Sequence, residues 1–112
     1  MICVKLKGIG GLLREIEVRG HAEFAIRGKD TVCAAASGII QTCALGLLER
    51  TGNKALIQRG DGMFRVTLPE KLTDDIRHDC DIIIRTMRLG LCDLERQYPQ
   101  HIKLEGENHG KN

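Results

Sequence analysis

The chain has 112 residues, enough for one small domain with a genuine core and too few for two independent ones. Lys plus Arg number 17 against 15 Asp plus Glu, so a net charge of +2 gives little footing for a nucleic-acid surface; one Tyr, two Phe and no Trp leave scant material for stacking on bases. The five cysteines, Cys3, Cys33, Cys43, Cys80 and Cys92, are an odd number without a close pair, which argues against a disulfide framework.

The opening "MICVKLKGIGG" has no apolar core of the kind an export signal needs, and no later segment is expected to reach the roughly 20 apolar residues of a membrane span. A cytoplasmic protein with reduced thiols and no membrane contact is therefore expected. "ICVKLK" (2–7) and "LLREIEVR" (12–19) alternate apolar and polar positions around "GIGG", which reads as a β-hairpin. Gly8, Gly10 and Gly11 follow a strand with no helix after them, so they mark a turn and not a dinucleotide fingerprint. Residues 20–29 have no sustained period and read as a loop.

From Asp30 the period changes: Val32, Ala36, Ile39, Cys43 and Leu47 recur at spacings of three and four, predicting an amphipathic helix over 31–50 ended by Gly52. "KALIQRGDGMFRVTL" (54–68) is two short strands around the turn "GDG". Thr73 is placed to cap a second helix running to about Gln97, with the stripe Ile76, Cys80, Ile83, Met87, Leu91 and Leu94. "HIKLE" (101–105) is a last strand, and residues 106–112 form a polar tail beyond a single domain at 1–105. The order β-β-α-β-β-α-β predicts an α/β domain of the α+β kind, a mixed, mainly antiparallel sheet packed with two helices.

One stretch carries candidate chemistry. With Asp30 as N-cap, Cys33 is the third helical residue, near the unpaired amides of the first turn, where thiolate is favoured. A helix terminus supplies about 0.3–2 kcal/mol, at most ~1.5 pKa units, so the helix alone cannot make the thiol strongly acidic. A protonated His beside the sulfur can, and His21, at the end of a predicted strand, is the candidate. Gly20 and Gly28 would be the hinges bringing it over the helix start. Asp30 is offered two roles, cap and orienting group for the imidazole; Ser37, one turn beyond Cys33, is a possible support. The backbone N–H groups of Cys33 and Ala34 are candidates for an oxyanion site.

On spacing alone a plainer reading stands beside this one, since a Cys in an Ala-rich first turn is more often a small buried hydrophobe. A Cys phosphatase would need an Arg where Ile39 stands. Metal binding would need ligands at short spacings, and none occurs, so no metal and no cofactor are expected. His78, His101 and His109 are read as surface residues and Cys80 as core.

The segment "GHA" at 20–22, then Gly28, then "D-x-VCAA-x-S" from Asp30 to Ser37, resembles the ribosomal-processing cysteine protease family, Prp. Thr31 and Ala36 depart mildly from its pattern. The resemblance implies a homodimeric endopeptidase with Cys33 as nucleophile and His21 as acid/base. It would remove a short N-terminal extension from the precursor of the twenty-seventh large-subunit ribosomal protein. Family substrates with aromatics before the cut imply an apolar groove, for which Phe24, Ile26 and Met63 are candidates. The competing readings are a non-catalytic ribosome-associated or protein-binding module, and an RNA binder using Lys5, Lys7, Arg14, Arg27 and Lys29.

Overall fold

The computed structural model describes residues 1–20 and 30–105, with Asp30 described by its backbone alone. The elements are β1 (Ile2–Ile9), β2 (Leu12–Arg19), α1 (Asp30–Arg50), β3 (Leu56–Gly60), β4 (Met63–Thr67), α2 (Asp74–Gln97) and β5 (Ile102–Glu105). They form one five-stranded sheet in the order β3-β4-β2-β1-β5, antiparallel except where β5 lies parallel to β1. The mixed sheet and element order are those the sequence predicts.

The β1–β2 turn places Gly10 and Gly11 at φ +64° and +84°, the two positive values that match a tight turn to strand twist. Between Lys7 and Gly8 the register slips, and a Cβ at Gly8 would overlap the Leu12 carbonyl, so this approach requires glycine. Along β1, Ile2, Val4 and Leu6 are buried while Lys5 and Lys7 are exposed, which puts both helices on one face. The opposite face is a charge ladder in which Lys7 reaches Glu15 and Glu17, each at 3.5 Å, and Arg65 and Arg19 also reach Glu17.

The helices run antiparallel through a repeating contact. A Cβ on Gly46 would lie 3.6 Å from Ile83, one on Gly90 would lie 3.6 Å from Ile39, and Arg50 Nε meets Asp79 Oδ2 at 2.7 Å. Each isoleucine thus faces a glycine seven residues along the partner helix from the other pair. Both predicted stripes hold at most positions, including Val32, Ala36, Cys43 and Leu47 on α1, but Ile40 and Ile84 are the buried isoleucines, whereas Ile39 and Ile83 are partly buried and face the neighbouring helix.

Several boundaries also move. Helix α1 includes Asp30, so Cys33 is its fourth residue and not its third. Thr73 does precede α2, but its hydroxyl donates to Asp75 and makes no capping bond to the backbone. Beyond α1, Gly52 (φ +64°) and Asn53 (φ +65°) reverse the chain, and the Thr51 hydroxyl donates to Leu47 O while accepting the N–H groups of Lys54 and Ala55. His78 is exposed, His101 is half-buried at the start of β5, and His109 and the tail lie outside the described residues. Finally, Thr31–Arg50 is long and apolar enough, at a mean hydropathy of 1.7, to cross a membrane by length and composition, against the sequence expectation. The reason is local: this helix packs on the sheet and on α2, and its other face carries small residues such as Ala34, Ala35 and Gly38.

Candidate active site

The first turns of α1 meet the sheet at the end where β1 begins, β2 ends and the β3–β4 hairpin turns back. A cavity of about 660 Å³, in the size range of ligand sites, opens there. Helix α1 lines it with Cys33, Ala34, Ser37, Ile40 and Gln41, and the strand ends add Ile2, Val18 and Gly20. The hairpin contributes its far wall, from Arg59 through the Asp61–Gly62 turn to Met63 and Phe64. Among the described residues most of this lining is apolar, and the charged side chains, Arg59 and Asp61, both come from the hairpin.

Cys33 is half-buried, packed against the core on one side and lining the cavity on the other. Ala34 and Ser37 are exposed beside it. Gly20 sits at φ +83°, a value side-chain-bearing residues rarely adopt, and its N–H donates to Gly62 O at 3.0 Å. The last residue before the 21–29 segment is thereby pinned to the hairpin turn that lines the cavity. His21, Phe24, Ile26 and Gly28 lie outside the described residues, as does the side chain of Asp30. Of the predicted site, the structure thus brings Cys33, Ala34, Ser37, Gly20 and the groove candidate Met63 to one cavity.

Sequence reasoning missed Arg59 and Phe64. The guanidinium of Arg59 lies 5.0 Å from the centre of the Phe64 ring, a cation–π contact at the rim. The "GDG" turn between them was the available signal, read only as a hairpin. The remaining cysteines divide by burial. Burial pushes the Cys43 thiol up to about 12, with Cys80 adding to the effect, and burial also raises Cys80. None of the five forms a disulfide. Among the described residues no group of three or more His, Cys, Asp or Glu side chains is placed to hold a metal ion.

A thiol at the start of a helix, opening on an apolar cavity in an α+β domain, is an arrangement that a cysteine-dependent hydrolase can use. The sequence model described as "Cysteine protease Prp" matches residues 1–103. The ribosomal processing cysteine protease Prp of Bacillus subtilis is 29% identical over 90 residues, covering 79% of this chain and 80% of its own. The fold is also that of the Prp protease from S. aureus solved with a substrate peptide, with a TM-score of 0.78, 24% identity and coverage of 96% of this chain and 100% of that one. The same protease with a covalently linked product peptide gives 0.78 and 25% identity over 96% and 100%. The chain belongs to the cysteine protease Prp family, and is a peptide hydrolase of the cysteine type.

Proposed function

We propose that this protease uses Cys33 as its nucleophile and His21 as general acid/base to remove a short N-terminal extension from a large-subunit ribosomal protein precursor, the twenty-seventh. The observation that carries the reading is Cys33 itself: a half-buried thiol in the first turns of α1, at the wall of an apolar cavity large enough for bulky side chains. The thiolate attacks the scissile carbonyl, the C–N bond breaks as the imidazolium passes its proton to the leaving amine, and water then cleaves the thioester. Ser37 supports the thiol from one turn on and Asp30 orients the imidazole, while the Cys33 and Ala34 N–H groups, fourth and fifth in α1, belong to the helix ladder and leave the oxyanion to other donors. Phe64, Met63 and Ile40 supply apolar surface for aromatic substrate residues.

The protease acts as a homodimer in the cytoplasm, where its thiols stay reduced. Support for the dimer comes from the outer side of the helix pair. In antiparallel helices the residues just before each contact share one side, and Leu45, Ile82 and Leu89, which precede Gly46, Ile83 and Gly90, are 66%, 60% and 64% exposed. An RNA-binding role is disfavoured because Lys7 is engaged by Glu15 and Glu17, and Arg14 donates to Leu68 O. The deciding experiment incubates the extended precursor with wild type, Cys33→Ala and His21→Ala. Cleavage by wild type alone is expected; equal cleavage by the Cys33→Ala variant would remove the assignment.

A further inference from the structure

The β3 strand has β4 on one side and, among the described residues, no strand on the other. Which of its backbone groups face that open side follows from the neighbouring ladder. Gly20 N–H bonds Gly62 O and Leu68 N–H bonds Arg14 O, so the β2–β4 bonds fall on alternate residues 62, 64, 66 and 68. Met63, Arg65 and Thr67 therefore turn their backbone groups toward β3, where they pair with Gly60, Gln58 and Leu56. Ile57 and Arg59 are left with N–H and C=O pointing away from the sheet, two donor–acceptor pairs about 7 Å apart.

This edge runs into the cavity. Arg59 and Gly60 belong to β3 and also line the space that Cys33 lines. The Arg59 side chain is folded onto Phe64, so its charge lies on the cavity face and not across the edge. The strand is largely exposed and contains no proline or bulge of the kind that blocks edge pairing.

We infer that the open edge of β3 binds the main chain of the peptide substrate as an added strand, through Ile57 and Arg59, and delivers it to the cavity beside Cys33. The occupant is an extended peptide because continuity with the cavity favours a chain that passes from edge to thiol, and main-chain pairing holds such a chain whatever its side chains. The inference rests on the proteolytic reading for its substrate but makes a separate demand, a two-residue period in the substrate backbone.

The test uses a peptide spanning the extension junction of the ribosomal protein precursor, N-methylated at one backbone position at a time. Kinetics are read with wild type, and binding is read by fluorescence anisotropy with Cys33→Ala. Expected is a rise in KM and in Kd of about tenfold at two positions separated by one tolerant position, with kcat little changed. Ile57→Pro, which removes an outward N–H and no β3–β4 bond, should raise KM similarly by taking the donor from a peptide carbonyl, while both methyl groups keep their effect because the Ile57 and Arg59 carbonyls remain. Should that variant fail to fold, the methylation series decides alone. Sensitivity that is absent or lacks the two-residue period overturns the inference, as does an Ile57→Pro variant that changes oligomeric mass in place of KM, since the edge then pairs with a second copy. Periodic binding without cleavage by wild type would leave the edge standing and remove the proteolytic assignment. A peptide neither bound nor cleaved would remove both.

Discussion

The carboxylate of Asp81 on α2 accepts the main-chain N–H of Leu13 on β2 at 2.7 Å, across 68 residues of sequence. The bond answers the slip in the β1–β2 register: where the ladder is irregular, a backbone donor needs another partner, and a helix side chain provides it. The second oxygen of Asp81 accepts Arg85 Nε at 2.8 Å, and Arg85 donates onward to Gly11 O at 2.7 Å. Asp81 is buried and fastens helix to hairpin. Replacing it with Ala leaves the Leu13 donor without a partner and should cost about 3 kcal/mol in urea unfolding. Arg85→Ala, at a more exposed site, should cost nearer 1 kcal/mol.

The glycines at the helix crossing differ from the one at the bulge. A Cβ on Gly46 or Gly90 meets isoleucine at ordinary contact distance, and neither glycine has a positive φ, so Gly46→Ala and Gly90→Ala should each stabilise by about 0.5–1 kcal/mol through helix propensity. Gly8→Ala should destabilise, because backbone stands in the way. Thermal melts of the three variants check the contrast in sign.

Acid should weaken the open face of the sheet through Glu17. The Arg19 hydrogen bond holds its carboxyl below the usual carboxylate range, helped by Lys7 and Arg65 and opposed by burial. A depressed folded pKa means that the stabilisation is fully present above the unfolded value, near about 4.3, and is lost as pH falls through the lower folded value. Denaturation curves from pH 7 to pH 3 should therefore be flatter for Glu17→Gln than for wild type.

Thiol accessibility gives a check that needs no substrate. Cys43 and Cys80, buried and with raised pKa values, should resist iodoacetamide at pH 8 in the folded protein and react once urea is added. Peptide mapping should find Cys33 modified first, with the rate reduced in His21→Ala. Modification of Cys43 at a comparable rate in the native state would contradict the packing described.

The outer ridge of the helix pair can be tested by charge. Leu45→Glu places a carboxylate on an exposed position, so the monomer should keep its stability while sedimentation velocity shows loss of the proposed dimer. An unchanged sedimentation coefficient would contradict a dimer formed through this ridge.

The alternation of β1 and β2, the "GDG" turn and the reversal at Gly52 were legible in the sequence because each is a local rule satisfied by neighbouring residues. The stripes were legible too, except at one isoleucine in each, and for a physical reason. Helix α1 packs on two surfaces at once, so Ile40 faces the sheet while Ile39 faces Gly90; both must be apolar, and spacing cannot say which is deeper. The same holds for Ile84 and Ile83 on α2. At the site, Cys33 could be found because a helix start marks itself. The cavity could not, because Ile2, Val18, Ile40 and Phe64 meet only when strand ends far apart in the chain are brought together.

The core is built from Leu, Ile, Val, Met87 and small residues, and the single Tyr98 is exposed on the surface. With no tryptophan anywhere, the protein is nearly dark in the near ultraviolet. A tryptophan carried in on a peptide would be the sole strong emitter in the mixture. Occupancy of the wall formed by Phe64 and Met63 could then be followed through its blue shift, without a label on the protein.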